Sequence, residues 1–305
     1  MTVGSGPARA LFQEPAAGGA VRCLLCPRRC LIPAGSAGFC GSRANRGGAL
    51  VADGYGAVSA LALDPIEKKP LARFRPGSRI LSAGGFGCNL ACRFCQNHRI
   101  ARARPPSVDD GDGLAEFSRM SPDALVGAAL SCRDRGNVGL AFTYNEPFVN
   151  IEYVVDCARL AKAAGLAVVL VTNGYVNPEP LEYALPFVDA MNVDLKAFTD
   201  GFYESVCSGT RLPVMETIAR AAGRCHVEVT TLVIPGLNSG REEIVALADW
   251  LASVSPAIPL HLTRHHPDYL MPEPPPIGPR ELLGLVEAAS TRLETVIAGN
   301  LGNFP

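Results

Sequence analysis

The segment "GGFGCNLACRFCQN" (84–97) places three cysteines within eight positions, directly after a short apolar run. Cys88, Cys92 and Cys95 have the spacing C-x3-C-x2-C, and glycines precede the first of them. Cysteine thiolates are ligands of zinc and of iron–sulfur clusters. A structural zinc site uses four ligands, and His98 could supply the fourth. Three thiolates on a four-iron cluster instead leave one iron open, which suits chemistry at the metal.

A second group of cysteines near the start of the chain, Cys23, Cys26, Cys30 and Cys40, has the spacing C-x2-C-x3-C-x9-C. Four cysteines at this density, with glycines between them, predict a closed metal site. Zinc and a second iron–sulfur cluster both accept four thiolates, so the spacing leaves both open. The remaining four of the 11 cysteines are interpreted as core residues. Among these, Cys207 is the one whose thiol could face a substrate.

Strand-like and helix-like segments alternate through the rest of the chain, which predicts parallel βαβ units and an α/β fold. The predicted strands are Ile80–Ala83, Val138–Thr143, Ala167–Thr172, Val188–Leu195, Val227–Val233 and Pro259–Thr263. Helical periodicity separates them, as in "NIEYVVDCARLAKAAG" and "REEIVALADWLASV". The helix predicted in "SPDALVGAALSCRDRG" begins at an N-capping serine and closes on Gly136.

Three of these strands carry polar side chains on one face: Asn192, Asp194 and Lys196, then His226, Glu228 and Thr230, then His261 and Thr263. A sheet covered by helices on both faces should be apolar on both. The polar faces therefore predict a barrel, or part of one, whose interior is a site. Active sites of such barrels lie at the carboxyl ends of the strands, where the C-x3-C-x2-C motif begins.

Together these motifs resemble the radical S-adenosylmethionine (SAM) superfamily, whose hallmark is this cysteine loop after the first strand of a partial (βα)6 barrel. More narrowly, the chain resembles the glycyl-radical-enzyme activase branch, which includes pyruvate formate-lyase activating enzyme, and the AmmeMemoRadiSam-system radical SAM enzymes. The segments that carry this closer likeness are "CLLCPRRCLIPAGSAGFCGSRAN", "ALDPIEKKPLARFRPGS", "FGCNLACRFCQN", "TYNEP", "NVDLK" and "VEVTTLVIPGLN".

The resemblance implies a [4Fe-4S] cluster held by Cys88, Cys92 and Cys95, with SAM on the fourth iron. It implies SAM contacts from residues that follow the next strands: Glu146, Thr172, Asn173, Asp194 and Lys196. "TYNEP" stands where the family usually has a Gly-Gly-Glu-Pro turn. Further candidates for substrate or SAM contacts at the barrel end are His261, Arg264, His265 and His266.

Structural alternatives apply to several of these residues. Glu146 could cap the helix that begins near Pro147, because a carboxylate in the first turn of a helix is favourable. Asp194 and Lys196 could form an ion pair inside the barrel. His226 and Glu228 could form an internal hydrogen-bonded pair.

The implied activity is reductive cleavage of SAM to a 5′-deoxyadenosyl radical that abstracts hydrogen from a substrate. In an activase the substrate is a glycine of a partner protein, and a reduced flavodoxin or ferredoxin-type protein donates the electron. Two alternatives stay open: a radical SAM enzyme that modifies RNA or a small molecule, and a non-enzymatic iron–sulfur or zinc electron-transfer module. The polar strand faces argue against the module, which needs no SAM pocket.

Composition divides the chain into a flexible leader (1–20), a Cys-rich N-terminal segment (21–78), the barrel core (79–300) and a tail (301–305). Basic residues outnumber acidic ones in 1–110, but no basic stripe with interleaved aromatic residues supports nucleic-acid binding. The longest apolar run, "LAVVLV", is too short to cross a membrane. Because no secretory signal is recognisable, we expect a reducing, cytoplasmic location.

Overall fold

The computed structural model of the protein describes residues 8–103 and 117–302. Its strands are β1 (Ala8–Arg9), β2 (Gln13–Pro15), β3 (Val21–Cys23), β4 (Leu31–Ile32), β5 (Arg43–Arg46), β6 (Ala49–Ala52), β7 (Ala57–Val58), β8 (Ala60–Pro65), β9 (Arg79–Gly84), β10 (Ser118–Arg119), β11 (Asn137–Phe142), β12 (Ala167–Thr172), β13 (Ala190–Asp194), β14 (His226–Val233), β15 (Leu260–Arg264) and β16 (Val296–Gly299). Its α-helices are α1 (His98–Ala101), α2 (Pro122–Leu130), α3 (Ile151–Ala163), α4 (Pro178–Ala184), α5 (Asp200–Phe202), α6 (Leu212–Ala221), α7 (Arg241–Val254) and α8 (Pro279–Ser290).

One large sheet organises the described residues, with the strand order β16-β15-β14-β13-β12-β11-β9-β8. The seven strands β9 and β11–β16 pair in parallel with their neighbours in this sheet. At one edge, β8 pairs antiparallel to β9. Helices connect successive parallel strands, as βαβ units require. This arrangement confirms the predicted α/β fold and the partial (βα)6 barrel, since the six predicted strands correspond to β9 and β11–β15.

Local sequence explains these elements. The valines of β12 are stiff at χ1 and favour strands, and most of the strand is buried because helices cover one face and the barrel interior lies on the other. At the start of α2, the Ser121 hydroxyl accepts a hydrogen bond from Ala124 N at 3.2 Å. The helix ends at Leu130, earlier than predicted. Gly136, at φ 84°, instead ends a separate 3-10 turn over Arg133–Arg135.

The N-terminal part of the chain differs from the sequence-based expectation. Residues 8–20 of the predicted flexible leader include β1 and β2, which pair with β6 and β3. Residues 1–7 of the predicted leader and 303–305 of the predicted tail lie outside the described residues. The proposed boundary at residue 78 falls inside the large sheet, since β8 pairs with β9 along its whole length. No helix of the described part is long and apolar enough to cross a lipid bilayer.

Residues 66–74, which we call the plug, fill the interior of the barrel. Ile66 and Leu71 of this segment form an apolar cluster with the inward-facing strand residues Ile80, Ala141, Val169 and Ala190. The Asn192 amide donates a hydrogen bond to the Pro70 carbonyl at 2.8 Å. A segment that precedes β9 therefore closes the barrel below the carboxyl ends of its strands.

The buried carboxylate of Glu228 anchors the plug to the barrel wall. It accepts hydrogen bonds from the backbone amides of Ala72 (2.9 Å) and Arg73 (2.7 Å), and from the rings of His226 (2.9 Å) and His261 (2.6 Å). Burial opposes ionisation of Glu228, but these four donors outweigh it and lower its pKa to about 2. The internal pair of His226 and Glu228 is therefore observed, with His261 as a third member.

We expect Glu228→Gln to lower the free energy of unfolding by about 3 kcal/mol at neutral pH, because the depressed pKa stabilises the fold. The ionised carboxylate contributes fully above its ordinary pKa of 4.5, and this contribution disappears as the pH falls towards 2. Denaturation with urea at several pH values measures the difference, which should narrow in acid. Glu287→Gln, at an exposed position of α8, is the matched control. Equal stability of the Glu228 and Glu287 variants would contradict the anchoring role.

Candidate functional site

A cavity of about 420 Å³ opens at the carboxyl ends of the parallel strands. Every residue that the resemblance assigned to the first cluster or to SAM lines it: Cys88, Cys92, Cys95, Glu146, Thr172, Asn173, Asp194 and Lys196. They lie at or directly after the carboxyl ends of four different strands, β9, β11, β12 and β13. The structure thus brings together residues that are as much as 108 positions apart in the sequence.

The cysteine loop after β9 is held in place by the π-helical turn Tyr203–Cys207. The amides of Ala91 and Arg93 donate hydrogen bonds to the carbonyls of Cys207 (2.9 Å) and Val206 (3.0 Å). The Cys207 side chain is fully buried and hydrogen-bonds to Cys92. This hydrogen bond and the burial of Cys92 raise the pKa of Cys92 well above its ordinary value. Cys207 therefore lies beside Cys92 and is not among the residues that line the cavity.

The donor set of this cavity fits an iron–sulfur cluster. Among residues 8–103 and 117–302, no three His, Cys, Asp or Glu side chains are arranged to hold a single metal ion. His98, the candidate fourth zinc ligand, does not line the cavity; its Nδ1 contacts the Cys95 carbonyl at 3.1 Å and its ring stacks on Tyr269. Three thiols line this cavity, and no fourth cysteine or histidine is among its described lining residues, which suits a cluster that keeps one iron position open.

Metal binding at these thiols is coupled to proton release. Burial, with a contribution from Cys92, raises the pKa of Cys95 to about 11, and burial raises the pKa of Cys88 well above its ordinary value. The metal-free thiols are therefore protonated at neutral pH, whereas ligation requires thiolates.

Glu146 joins the loops after β11 and β12. Its Oε1 accepts hydrogen bonds from Phe148 N (3.0 Å) and Thr172 Oγ1 (2.8 Å), and its Oε2 accepts one from Asn173 N (2.8 Å). The first contact confirms the capping interpretation, since Glu146 caps the 3-10 helix Pro147–Asn150. Burial raises the pKa of Glu146 to about 7 in spite of these donors. The Asn173 side chain reaches Cys88 Sγ at 3.4 Å and so extends the network to the cysteine loop.

Asp194 and Lys196 form an ion pair of 2.9 Å beside the same cavity. Burial opposes the charge of Lys196, but the pKa of the lysine is raised, chiefly by the carboxylate of Asp194. The predicted pair is therefore present, at a position where one edge of the Asp194 carboxylate can meet a ligand, since its side chain is 34% exposed.

Sequence reasoning missed a second polar group at the cavity, which the plug supplies. Lys69 pairs with Asp64 at 2.8 Å, and the Tyr144 hydroxyl donates to the same carboxylate at 2.7 Å. Tyr144 has φ 71°, so a tyrosine adopts the left-handed backbone at a turn where the family usually has glycine. Burial opposes ionisation of Asp64, but the two donors lower its pKa to about 2. A tyrosine in place of glycine was visible in the sequence, but its distant partner was not.

The barrel-end candidates lie elsewhere. His261 belongs to the Glu228 network below the cavity. His265 is fully buried, and neither of its ring nitrogens has a hydrogen-bond partner among residues 8–103 and 117–302. Arg264 donates to the Ile277 carbonyl at 2.8 Å. Neither these three nor His266 line the cavity. The alternation of side chains placed His261 on the correct face, but it does not say how deep along the strand a residue lies.

Gly87 fixes how closely the cysteine loop approaches the N-terminal segment. It has φ 86°, and a Cβ atom there would lie 2.4 Å from the Cys40 carbonyl oxygen and 2.4 Å from Ser42 Oγ. The Ser42 hydroxyl in turn donates to the Phe86 carbonyl at 2.6 Å. Both the backbone conformation and the contact therefore require glycine immediately before Cys88.

Comparison with known proteins assigns this site to a family. The model of the radical SAM superfamily matches residues 84–251, so the chain belongs to the radical SAM superfamily. It is 39% identical to an uncharacterized protein of Methanocaldococcus jannaschii over 298 residues, which cover 96% of this chain and 85% of the relative. It is 23% identical to the pyruvate formate-lyase-activating enzyme of Clostridium pasteurianum over 185 residues, 59% of this chain and 72% of that enzyme.

A solved structure shares the fold. The radical SAM methyltransferase from Sphaerobacter thermophilus matches with a TM-score of 0.53 and 17% sequence identity, over 75% of this chain and 68% of that chain. The superfamily implies a [4Fe-4S] cluster and SAM, and the activating-enzyme relatives extend to a putative glycyl-radical enzyme activating enzyme of M. jannaschii.

We expect Gly87→Ala to lower the free energy of unfolding by about 2 kcal/mol or more, because a Cβ atom meets two oxygen atoms in a left-handed backbone conformation. Gly127→Ala is the control: Gly127 lies inside α2 with nothing within 4 Å of its Cβ position, so alanine should stabilise the protein by about 0.5–1 kcal/mol. Anaerobic chemical denaturation of the two variants measures both effects. A Gly87 variant as stable as the wild type would contradict the close contact.

Proposed function

We propose that this protein is an enzyme that cleaves SAM reductively and uses the resulting 5′-deoxyadenosyl radical to remove a hydrogen atom from its substrate. The observation that carries this proposal is the single cavity shared by three cluster-type cysteines and five polar residues at the carboxyl ends of the strands. Its volume of about 420 Å³ lies within the usual range of small-molecule sites. Membership of the radical SAM superfamily supports the same chemistry.

In this proposal Cys88, Cys92 and Cys95 hold the cluster. Glu146 orients SAM by accepting a hydrogen bond from the amino group of SAM. A carboxylate offers about four acceptor positions, and Glu146 uses three of them within the protein. One acceptor position therefore remains for a donor in the cavity. A cationic ligand beside this buried carboxylate would also stabilise its charged form, which burial disfavours.

Asp194 and Lys196 present one acceptor and one donor group to the rest of the SAM molecule. Lys196 is already fixed by Asp194, so its position does not need to be reorganised when a ligand binds. Thr172 and Asn173 hold Glu146 and line the cavity beside it. The plug closes the interior on the far side and helps to exclude water from the reacting groups.

We propose further that the substrate is a glycine of a partner protein, as in the activating enzymes that the chain resembles. The likeness to pyruvate formate-lyase-activating enzyme supports this choice. A reduced flavodoxin or ferredoxin-type protein would donate the electron. We also propose a cytoplasmic location, which is consistent with the 11 cysteines being free thiols.

A small anionic substrate is a second candidate. Lys68 lies at the cavity and is 68% exposed, and its Nζ is 3.5 Å from Asp64, which Lys69 and Tyr144 also contact. Two lysines around one carboxylate leave a local excess of positive charge on this side of the cavity, which would attract a carboxylate or phosphate group.

The chemistry is tested by release of 5′-deoxyadenosine from anaerobically reconstituted protein that is given SAM and dithionite. We expect release by the wild type and by Cys225→Ala, whose cysteine lies outside the cavity, and none by Cys92→Ala. Iron and sulfide are measured in the same samples. Wild-type protein that holds iron and sulfide but releases no nucleoside would contradict the proposed reaction.

The SAM contacts are tested separately by binding of SAM to the oxidised holoenzyme. Loss of one charged hydrogen-bond partner costs about 1.5–3 kcal/mol, so Glu146→Gln and Asp194→Asn should each weaken SAM binding by about 10- to 100-fold. Anaerobic calorimetry measures the dissociation constants, and the exposed Glu287→Gln serves as the control. Unchanged affinity in both cavity variants, at equal iron content, would remove these residues from the SAM site.

A further inference from the structure

The four cysteines of the N-terminal segment line one small internal cavity, together with Arg28, Arg43 and Asn89. We propose that Cys23, Cys26, Cys30 and Cys40 hold a second [4Fe-4S] cluster, which we call the N-terminal cluster. It packs directly against the loop of the first cluster. This site is independent of the proposed reaction, because it uses none of the residues that line the SAM cavity.

The backbone folds tightly around this cavity. Cys23, the last residue of β3, donates its amide to the Cys30 carbonyl at 2.9 Å, and Arg29 between them takes a left-handed conformation at φ 44°. Gly38 lies opposite, where a Cβ atom would come within 3.9 Å of Cys30 Cβ. Apolar side chains of Leu25, Ile32 and Val149 complete the lining. Such a wall keeps water from the thiols, as the ligand shell of a buried cluster requires.

An unpartnered donor faces the same cavity. Arg43 is 1% exposed; its Nη1 binds both oxygens of Glu152, at 3.0 and 3.1 Å, and its Nη2 binds the Leu11 carbonyl. Its Nε is buried and has no hydrogen-bond partner in the described residues. A buried N–H group without an acceptor is costly, so its persistence beside four thiols indicates an acceptor that belongs to the site. The thiolates and sulfides of a cluster are acceptors of this kind, and their negative charge suits a guanidinium group.

Zinc is the alternative occupant of this cavity, because a structural zinc ion also accepts four thiolates. The four-cysteine cavity packs directly against the loop that carries Cys88, Cys92 and Cys95, which favours a cluster. Metal analysis distinguishes the two occupants.

The two sites share a wall only one residue thick. Cys88 lines the SAM cavity, and the next residue, Asn89, lines the four-cysteine cavity. Adjacent Cα atoms are about 3.8 Å apart. Arg28 of the N-terminal segment donates to the Asn89 carbonyl at 2.5 Å, and the Cys40 carbonyl lies against Gly87. Residues 87–89 therefore contact both groups of ligands, which places the two clusters side by side.

The test is the metal and sulfide content of anaerobically purified, reconstituted protein. The wild type should contain about eight iron atoms and about eight sulfide ions per chain. The triple variant Cys88→Ala/Cys92→Ala/Cys95→Ala should keep about half of each, and so should Cys26→Ala/Cys30→Ala. Circular dichroism and thermal unfolding identify variants that are not folded. A folded triple variant that holds zinc, or no iron, would overturn the proposal, as would a wild type with only about four iron atoms.

The shared wall adds a second readout. Two reduced clusters that lie this close together broaden each other's EPR signals. The dithionite-reduced wild type should therefore show about two spins per chain and a spectrum broadened by magnetic interaction between the clusters. Each cysteine variant should show an unbroadened signal of one cluster. A wild-type spectrum equal to the sum of the two variants would contradict the side-by-side placement. The signal of Cys26→Ala/Cys30→Ala reports on the first cluster alone, so failure of this proposal is distinguished from failure of the proposed function.

Discussion

One buried carboxylate, that of Glu146, fixes the geometry on which the site depends. Burial of an unpaired charge is costly, so the chain surrounds this group with donors from its own turn and from the loop after β12. Through Asn173 the same network touches Cys88. The loops that follow three neighbouring strands are therefore tied to one another before any ligand arrives. Without these hydrogen bonds, the cysteines and the polar residues would still lie at the same edge of the sheet, but the distance between them would not be fixed.

The main elements of the fold could be predicted because their signals are local. Each of these signals involves residues that are only a few positions apart. They are the apolar runs of the six core strands, the spacing of the cysteines and the alternation of polar residues in β13 and β14. The strand β8, the plug and the pairing of Tyr144 with Asp64 could not be predicted in this way. They depend on contacts between residues as much as 156 positions apart, such as Ala72 and Glu228. Periodicity gives the face of a strand on which a residue lies, but not its position along the barrel axis. The sequence therefore could not show that His261 lies below the cavity, in the Glu228 network.

The N-terminal segment forms small sheets of its own and also contributes to the barrel. It supplies an edge strand, the plug and a contact with the cysteine loop. A carbonyl of this segment is in contact with Gly87, the residue before Cys88. The N-terminal cysteine region and the cysteine loop therefore pack directly against each other.

The plug also determines the side from which molecules can reach the cavity. Because residues 66–74 occupy the interior below the cavity, ligands reach it from the side of the strand carboxyl ends. Under the proposed function SAM occupies this cavity, so a bulky substrate that approaches from the same side would cover it. Such an arrangement favours ordered steady-state kinetics, with SAM first on and its products last off. A protein substrate would then be recognised by a surface whose inner half is SAM itself.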